Sequence, residues 1–370
     1  MKLITNEIKN VCSKLLTALD SDTTSTLSET IELTAEDKVF ILAVTNMEYV
    51  VKTKLPISSD ESFVATVNAD TFLRLINQIT TPEVDFTIND TILTIEGNGK
   101  YKLPMVYEGD SLIELPDLSI KNKTIEFETD TSVLTSVLNY NSKELAKTLV
   151  GSPVQKMYYF DDKGCITFTS GACVNEFTLP DGVRLLMNAK MVKLFKLFTQ
   201  GKVNIVLGTD TVNNIVQNKI TISDTVVELT SILTSDETMI NSVPKDVIRN
   251  MTKDSYPYTV SINKKALLDT ISRLMLFMPT GTNFQPYGYF EFDNSAVSIY
   301  DKSKHNTEKL FYKDSIAVTD PPEELILDLN DLKLSIENIK DECVSLSFGT
   351  HRAVVVHHAN IYNIIPECVL

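Results

Sequence analysis

The sequence has few of the residues from which catalytic, metal and cofactor sites are usually built. Its 370 residues include four histidines, five cysteines, twelve glycines and no tryptophan. The cysteines are widely spaced and form no CxxC pair, which disfavours a zinc site or a disulfide framework and fits a reducing cytoplasm. No GxxxxGK[ST], GxSxG or HExxH motif occurs. We therefore expect no catalytic residues, no metal and no cofactor, and predict that the protein is not an enzyme.

Long apolar runs and an excess of positive charge are also missing. No stretch approaches the roughly 18 uninterrupted apolar residues of a membrane span, and the apolar start at 1–4 is too short for a signal-peptide core. We therefore expect a cytoplasmic protein with no membrane partner. The 34 basic and 49 acidic residues give a net charge of −15. A protein held on DNA by a broad basic exterior would be net positive, which disfavours the simplest kind of DNA binder.

Apolar periodicity predicts six amphipathic helices, at roughly 5–21, 69–80, 130–148, 188–200, 263–279 and 328–340. They form three pairs, and the first members of successive pairs start 125 and 133 residues apart. Alternating strand patterns follow each second helix, for example at 84–88, 203–207 and 344–348. This order predicts an α+β fold with three repeated domains, each of two helices against antiparallel sheets.

The predicted domain boundaries follow from two segments between the copies. Residues 116–124 and 243–258 have the composition of linkers, and the second is rich in Pro, Lys, Asp and Asn. We therefore predict copy one at 1–118, copy two at 124–242 and copy three at 256–370. The Ser, Thr and Asp stretch at 20–30 is predicted to be a solvated loop within copy one.

Positive charge is concentrated in the predicted helices. The six windows hold thirteen basic and nine acidic residues, whereas the rest of the chain holds 21 and 40. In window 188–200, Lys193 and Lys196 share one face, opposite Met191, Leu194 and Phe195. One interpretation is an ordinary solvated helix face. The other is a set of helices around one basic surface, which would attract phosphate while the acidic exterior repels it.

Three short patterns could suggest a ligand site, but each has a simpler structural interpretation. The Gly-Asn-Gly at 97–99 lacks the third glycine and the helix of a dinucleotide motif, so it fits a hairpin turn. The two histidines at 357–358 are adjacent in a strand pattern and point to opposite faces, so they do not easily share a metal. The Asp-Asp-Lys-Gly at 161–164 fits a hairpin turn better than a calcium site.

Two stretches of sequence, together with the three copies and their basic helices, carry a family resemblance. The first stretch runs from Phe63 to Phe72 at the start of the second helix, and continues through 84–88 and 93–96 to Tyr101-Lys102-Leu103-Pro104. The second is the ending Ile364-Ile365-Pro366-Glu367-Cys368-Val369-Leu370. In these features the chain resembles the bacterial sliding clamp, the β subunit of DNA polymerase III, over essentially its whole length.

In that family two subunits join head to tail, and six pairs of helices line a hole through which duplex DNA threads. The resemblance implies a DNA sliding clamp, a non-catalytic processivity factor that encircles double-stranded DNA independently of sequence and tethers the replicative polymerase. The implied partners are double-stranded DNA, a DNA polymerase, a clamp loader, other proteins with a clamp-binding motif and a second copy of the chain. The candidate DNA-binding residues are Lys9, Lys14, Arg74, Lys143, Lys147, Lys193, Lys196, Lys264, Arg273 and Lys333.

The family also has a hydrophobic pocket between its second and third repeats, into which partners insert a short peptide. The resemblance places the pocket at Val154, Thr169, Gly171, Val174, Val243, Ile364, Ile365 and Pro366. The family usually has His and Arg at the positions of Ala172 and Cys173, and a basic residue and a proline at Asn241 and Glu237. These departures indicate a divergent clamp, such as one of a phage or mobile element, with an altered peptide preference. The alternative is that 364–365 are simply the end of a core strand.

The resemblance also pairs copy one with copy three across the subunit interface. Tyr101 and Leu103 would face Leu276 and Phe277 of the other chain. The window 274–278 is apolar all round the end of its helix, which is more than one buried face requires. A thicker domain core is the alternative.

Two other functions are open on the sequence. One is a clamp-like interaction or decoy protein that binds clamp partners without encircling DNA. The other is an enzyme of unknown class, which the scarcity of histidine and the lack of a nucleophile–base arrangement disfavour.

Overall fold

The computed structural model describes residues 1–19, 25–147, 151–212, 214–278, 285–316 and 324–369. Some predictions fall partly outside these ranges. They are the ends of the helices predicted at 5–21, 130–148 and 263–279, the first part of the loop predicted at 20–30, and the final residue of the chain.

Each of the six predicted helical windows contains a helix, as expected. In copy two a π-helical turn, Val137–Asn141, joins two short helices, and the second helical segment continues as a 3₁₀ turn, Leu194–Leu197. The α-helices of the described residues are α1 Thr5–Leu16, α2 Ala69–Gln78, α3 Thr131–Ser136, α4 Ser142–Leu145, α5 Ala189–Lys193, α6 Glu237–Asn241, α7 Lys245–Lys253, α8 Lys264–Met275 and α9 Leu329–Ile336. None of these helices is long and apolar enough to cross a membrane.

The strands pair antiparallel throughout the described ranges. In copy one and the segment after it they are β1 Lys2–Ile4, β2 Thr30–Glu36, β3 Val39–Thr45, β4 Tyr49–Pro56, β5 Phe63–Asn68, β6 Glu83–Asn89, β7 Ile92–Glu96, β8 Lys100–Pro104, β9 Tyr107–Glu108 and β10 Ser111–Leu112. In copy two they are β11 Asn122–Asp130, β12 Met157–Asp161, β13 Gly164–Phe168, β14 Ala172–Glu176, β15 Arg184–Asn188, β16 Lys202–Val212, β17 Ile215–Ser223 and β18 Val227–Leu233. In copy three they are β19 Tyr258–Asn263, β20 Tyr287–Phe292, β21 Ala296–Tyr300, β22 Thr307–Ile316, β23 Leu325–Asp328, β24 Cys343–Phe348, β25 Ala353–His358 and β26 Ile361–Pro366.

One order of elements occurs three times: a strand, a helical segment, four strands, a second helical segment and three strands. Copy one runs from β1 to β8, copy two from β11 to β18 and copy three from β19 to β26. The predicted repeat and the α+β class are therefore confirmed. The predicted strands at 84–88, 203–207 and 344–348 lie within β6, β16 and β24, the corresponding strands of the three copies.

The second helix of each copy begins in the same way. Asn68, Asn188 and Asp328 directly precede these helices, and each side-chain oxygen accepts a hydrogen bond from a backbone N–H of the first turn. Such caps satisfy donors that a helix start leaves without an intrahelical partner. The repeat is therefore visible in local chemistry as well as in element order.

The chain divides into two compact units. The first comprises Met1–Leu134 and Lys193–Ser235, and the second Thr135–Val192 and Asp236–Leu370. The first unit contains a four-stranded sheet in the order β1-β6-β7-β8, the pair β10-β9 and an eight-stranded sheet in the order β11-β16-β17-β18-β4-β3-β2-β5. The second contains a twelve-stranded sheet in the order β15-β12-β13-β14-β26-β25-β24-β19-β22-β21-β20-β23. The division into three domains stays a prediction.

Neighbouring copies are joined by strand pairing. The last strand of copy two, β18, pairs with β4 of copy one, and the last strand of copy three, β26, pairs with β14 of copy two. In both joins the last strand of one copy meets the third strand after the first helix of the preceding copy. The same type of edge is therefore used twice.

Apolar side chains fill the space between helices and sheets in each unit. In the first unit the fully buried rings of Phe72 and Phe40 lie 6.2 and 5.9 Å from that of Phe86. In the second unit, Ile271 of α8 and Leu332 of α9 belong to a cluster with the strands of copy three. The apolar faces predicted by helical periodicity are thus the buried ones.

Two expected irregular segments contain regular structure. The predicted linker at 243–258 contains α7, which buries Ile248 and Arg249, and β19 begins at its end. The described part of the loop predicted at 20–30 contains a 3₁₀ turn, Thr26–Glu29, and ends in a buried threonine at 30. Amino-acid composition predicts irregular structure in both segments, but packing against the sheets gives them regular structure.

Candidate functional site

The helix pair of copy one carries three of the predicted DNA-binding residues. Across the exposed side of α1 and α2, Ser13 Oγ donates a hydrogen bond to Asn77 Oδ1 at 3.0 Å. Lys9 and Arg74 each lie one helical turn before a member of this contact, so both flank it. Lys14 occupies the last turn of α1, where the helix dipole favours a cation. These three side chains therefore lie on the solvent side of the helix pair.

In the second unit α9 is contacted by α4 of copy two and by α8 of copy three. The Lys143 ammonium of α4 forms an ion pair with Glu337 just after α9. The Lys264 ammonium of α8 donates a hydrogen bond to the backbone carbonyl of Ile339. Lys333 lies one turn before Glu337, so the structure brings three of the predicted lysines together around α9.

Lys193 and Lys196 are exposed at the end of α5 and in the 3₁₀ turn that follows it. Met191, Leu194 and Phe195 are each at most 2% exposed. This arrangement of faces is the one that the sequence predicts. Within the described residues neither lysine has an ion-pair partner.

The predicted DNA-binding residues differ in whether their positive charge already has a partner within the protein. Arg74 Nε lies 2.6 Å from Asp70, and Arg273 Nη2 lies 2.6 Å from Glu308. A phosphate at these arginines would have to compete with a carboxylate. Within the described ranges six candidates have no ion pair. Lys264 is held by the Ile339 carbonyl, and the other five are Lys9, Lys14, Lys193, Lys196 and Lys333.

Lys147 does not belong to the exposed set. Its side chain is 1% exposed, and its ammonium donates a hydrogen bond to Glu144 Oε2 at 2.6 Å. Glu144 Oε1 in turn accepts a hydrogen bond from Thr169 Oγ1 at 2.5 Å. The prediction that Lys147 contacts DNA is therefore wrong for this conformation, because its charge is buried and neutralised inside the second unit.

The predicted peptide pocket corresponds to an apolar cluster in the second unit. Four predicted wall residues, Val154, Val174, Val243 and Ile364, belong to this cluster, and each is at most 6% exposed. Other members come from β12, β13, β15, α6 and α7, among them Tyr159, Ile166, Leu186, Ile240 and Ile248. We call this set the inter-copy cluster. The structure brings the four predicted wall residues together, in a closed arrangement.

Gly171 explains how β14 and β26 approach each other at the edge of this cluster. A Cβ atom at Gly171 would lie 2.2 Å from the carbonyl oxygen of Ile364 and 3.2 Å from Cδ of Pro366. Only glycine allows this contact without a shift of the backbone. Gly171, Ile364 and Pro366, predicted as neighbours, are therefore in contact. The nearby Thr169 carbonyl accepts a hydrogen bond from Gln155 Nε2 at 3.0 Å.

Ile365 is not a wall of the inter-copy cluster. It is fully buried in the separate core of copy three, because adjacent strand residues point to opposite faces. The alternative interpretation, a core strand end, is therefore correct for Ile365, while Ile364 is buried in the inter-copy cluster and its role in a peptide pocket stays a prediction. Ala172 and Cys173 are also buried, so these positions do not present side chains to solvent.

Helix α7 is held against this part of the sheet by a buried ion pair. Arg249 Nη1 donates to Asp161 Oδ2 at 2.6 Å, and Nη2 donates to Oδ1 at 2.5 Å. Burial alone would raise the pKa of Asp161, but the hydrogen bonds and charge of Arg249 outweigh it and lower the pKa. The sequence predicts only a hairpin turn at Asp161, and that turn is present between β12 and β13.

Several strands of the described residues have a free edge, and two of these edges lie on β8 and on part of β22. Strand β8, with the half-buried Tyr101 and Leu103, pairs only with β7. The first half of β22, at 307–311, pairs only with β21. In the same unit as β22, Leu276 is 80% exposed and Phe277 63% exposed, directly after α8. All four residues predicted for the dimer interface are therefore at least partly accessible.

Phe311 is a surface residue that sequence analysis missed. It is 70% exposed on the free half of β22, whereas Leu310 and Tyr312 pack against the core of copy three. Strand alternation could have identified it, because the neighbours on either side are needed for the core. It adds a third large apolar side chain to the exposed set formed by Leu276 and Phe277.

Burial determines the chemistry of three of the cysteines. All five cysteines are free, and burial raises the pKa of Cys12, Cys165 and Cys173, so these thiols stay protonated. Across the described ranges no three His, Cys, Asp or Glu side chains are grouped so that they could hold a metal ion.

No protein-family model matches the sequence, and no curated protein matches it. Solved structures do match. The DNA polymerase III subunit β from Pseudomonas aeruginosa has a TM-score of 0.80 at 14% identity, with 100% of both chains covered. The sliding clamp from Bacillus subtilis has a TM-score of 0.79 at 14% identity, covering 100% of this chain and 98% of that chain. The DNA polymerase III β chain from Streptococcus pneumoniae TIGR4 has a TM-score of 0.81 at 13% identity, covering 100% and 99%.

These likenesses establish the fold. The chain has the fold of bacterial DNA polymerase III β sliding clamps over its full length, as the sequence resemblance predicted. Sequence identity to the three is only 13–14%.

Proposed function

We propose that the protein is a DNA sliding clamp, a non-catalytic processivity factor that encircles duplex DNA as a head-to-tail dimer and tethers a polymerase. The observation that carries the proposal is the pair of free edges, on β8 and on the first half of β22. Within the chain, the last strand of one copy always pairs with the third strand after the first helix of another. Strand β8 is such a last strand, and β22 is such a third strand.

Pairing of β8 with β22 of a second chain would extend the same rule. It would form two equivalent interfaces in a dimer of six copies and close it into a ring. An exposed strand edge promotes aggregation unless it is covered, and pairing with a second chain would cover both edges. The exposed Leu276, Phe277 and Phe311 supply apolar surface for such a contact.

The distribution of charge supports DNA as the encircled molecule. The chain carries a net charge of −15, yet the helices that the clamp fold gathers toward DNA carry the unpaired lysines. Contacts of this kind are with phosphate and are independent of sequence. Encirclement, rather than net attraction, would retain an acidic protein on acidic DNA.

The inter-copy cluster is the proposed docking site for partner proteins. A polymerase, a clamp loader and other proteins with a clamp-binding motif would insert an apolar peptide among Val154, Val174, Val243 and Ile364. Because these side chains are closed in the free protein, the peptide would have to open the cluster on binding. Ala172 and Cys173 stand where the family usually has His and Arg, so the polar contacts of those side chains would be missing and the peptide preference would differ.

The proposal is tested by topological retention. The protein is assembled on nicked circular duplex DNA with a clamp loader and passed through a sizing column. We expect it to elute with the circle and to be released when a restriction enzyme linearises the DNA. Light scattering should give a mass of two chains. Equal retention on circular and linear DNA would contradict encirclement.

A decoy or scaffold that binds clamp partners without encircling DNA is the second candidate. The ion pairs at Arg74, Lys143 and Arg273 favour it, because they remove cations from phosphate contact. This candidate predicts a persistent monomer that binds partner peptides and is never retained on circles.

A further inference from the structure

The inter-copy cluster contains a buried hydroxyl group without a hydrogen-bond partner. Tyr159 is 1% exposed, and its Oη atom has no partner in the structure. It lies on β12 between Ile166 and Leu186 on the neighbouring strands, and all three belong to the cluster. A buried hydroxyl without a partner is costly, so its retention at this position calls for an explanation.

A second unpartnered donor belongs to Arg249 of α7, which pairs with Asp161, two residues further along β12 than Tyr159. Arg249 is 6% exposed and uses Nη1 and Nη2 on Asp161, which leaves its buried Nε–H without an acceptor. Tyr159 and Asp161 point to the same side of β12, because they are two residues apart. Helix α7 therefore covers a strand face at which two buried donors, Tyr159 Oη–H and Arg249 Nε–H, have no acceptor.

A lysine ammonium lies over the Tyr159 ring. Lys245, four residues before Arg249 on α7, places its ammonium 5.7 Å from the centre of the Tyr159 ring. Among the described residues Lys245 has no ion pair. Asp161 is paired directly with Arg249, whereas the ammonium of Lys245 lies over the tyrosine ring. A carboxylate is the acceptor that would complement both the donors and the charge.

We infer that Tyr159 determines the specificity of the partner site by donating a hydrogen bond to a carboxylate of the bound peptide, with Lys245 as the accompanying cation. The inference rests on the proposed peptide site and states its ligand class: an apolar peptide with an acidic residue beside its anchors. Binding moves Lys245 and the first turn of α7 aside, while the Arg249–Asp161 pair holds the rest of the helix in place. Tyr159 thus supplies a polar contact in a pocket where Ala172 and Cys173 replace the polar residues that are usual in the family.

The test uses a displayed library of random heptapeptides selected on the full-length protein, with Val243→Glu as the variant that blocks the cluster. Peptides that bind wild type but do not bind the Val243→Glu variant are those that require an open cluster. We expect them to carry Asp or Glu at one fixed position. Synthetic copies of a selected peptide, with Glu or with Gln at that position, are then measured by fluorescence polarisation on each variant.

Wild type should bind the Glu peptide about tenfold more tightly than the Gln peptide, the difference expected for one hydrogen bond to a charged group. Tyr159→Phe removes only the unpartnered hydroxyl, so it should fold, and it should bind both peptides alike. Tyr158→Phe is the matched control, because Tyr158 is 3% exposed on the opposite side of the same strand. It should keep the preference.

The outcomes separate this inference from the proposed function. If selected peptides bind the cluster but show no acidic position, or if Tyr159→Phe keeps the preference for Glu, the inference is wrong and the partner site stands. If no peptide depends on Val243, both the partner site and the inference fall. Retention on circular DNA is independent of either result.

Discussion

Arg249 and Asp161 form a bidentate ion pair, with N–O distances of 2.6 and 2.5 Å, in which each side chain is 7% exposed. The pair links α7 to the end of β12, two elements separated by almost ninety residues of sequence. It therefore fixes the cover of the inter-copy cluster to the sheet beneath it.

Removal of one partner of this pair should be strongly destabilising. We expect Arg249→Met to lower the free energy of unfolding by about 3–5 kcal/mol, because Asp161 would be left buried and unpaired. Urea denaturation followed by circular dichroism measures the change. Lys253→Met, on the exposed end of the same helix, is the control and should change it by no more than about 0.5 kcal/mol.

The same pair predicts a direction for the pH dependence of stability. The pKa of Asp161 is lower in the folded protein than in the unfolded chain. The pair therefore stabilises the fold above the unfolded value of about 3.9, and this contribution is lost as the pH falls through the lower folded value. Denaturation curves at pH 7 and pH 3 should show a larger loss for wild type than for Asp161→Asn. Parallel losses in the two proteins would count against this assignment.

Lys147 and Lys143 should respond differently to the same substitution. Lys147→Met would leave Glu144 buried without its cation, and we expect a loss of about 3–5 kcal/mol. Lys143→Met removes a half-exposed pair with Glu337 and should cost about 0–1 kcal/mol. Chemical denaturation of both variants tests whether Lys147 is buried with Glu144. Equal and small losses of the free energy of unfolding would show instead that Lys147 is exposed.

Gly171→Ala should disrupt the join between β14 and β26. The added Cβ would lie 2.2 Å from the Ile364 carbonyl oxygen, so backbone must move, at a cost of about 1–3 kcal/mol or more. Gly99→Ala is the matched control, since the nearest atom there is the hydroxyl oxygen of Tyr101 at 3.3 Å. Thermal denaturation should therefore separate the two variants, and similar melting temperatures would refute the close approach.

Charge reversal at Lys193 and Lys196 should impair loading or sliding while leaving the fold intact, because both side chains are exposed. Loader-dependent primer extension measures the effect, which should grow as salt is lowered. Lys38→Glu with Lys302→Glu is the charge-matched control, since both lysines are exposed in turns outside the helices. If the two double variants behave alike, net charge rather than position is responsible.

The apolar residues after α8 should control assembly. Leu276→Asp with Phe277→Asp should convert a dimer to a monomer without unfolding, because these side chains are 80% and 63% exposed. Light scattering over a range of concentrations gives the mass. Ile215→Asp, which replaces a 65% exposed isoleucine at the tip of the β16–β17 hairpin, should leave the mass unchanged.

The sequence was most informative where local rules decide the structure. Helical periodicity located all six helical windows, and the caps at Asn68, Asn188 and Asp328 obey ordinary local preferences. The placement of Ile364 and Ile365 on opposite faces also follows from strand alternation. This rule alone shows that both residues cannot line the same pocket.

Other features depend on contacts that are remote in sequence. Helix α7 has a polar composition and forms against a sheet whose strands come from two copies. The burial of Lys147 depends on Thr169 and Glu144, which meet only after copy two has folded. The joins β18–β4 and β26–β14 link strands more than 170 residues apart, and no local pattern encodes them.

The two joins also constrain how the chain unfolds. Copy two contributes β18 to the sheet of the first unit and β14 to the sheet of the second. It has no compact unit of its own, so its strands cannot melt without opening an edge in both neighbours. Fragments cut at the predicted domain boundaries should therefore be insoluble, and proteolysis of the intact chain should proceed without a stable single-copy intermediate.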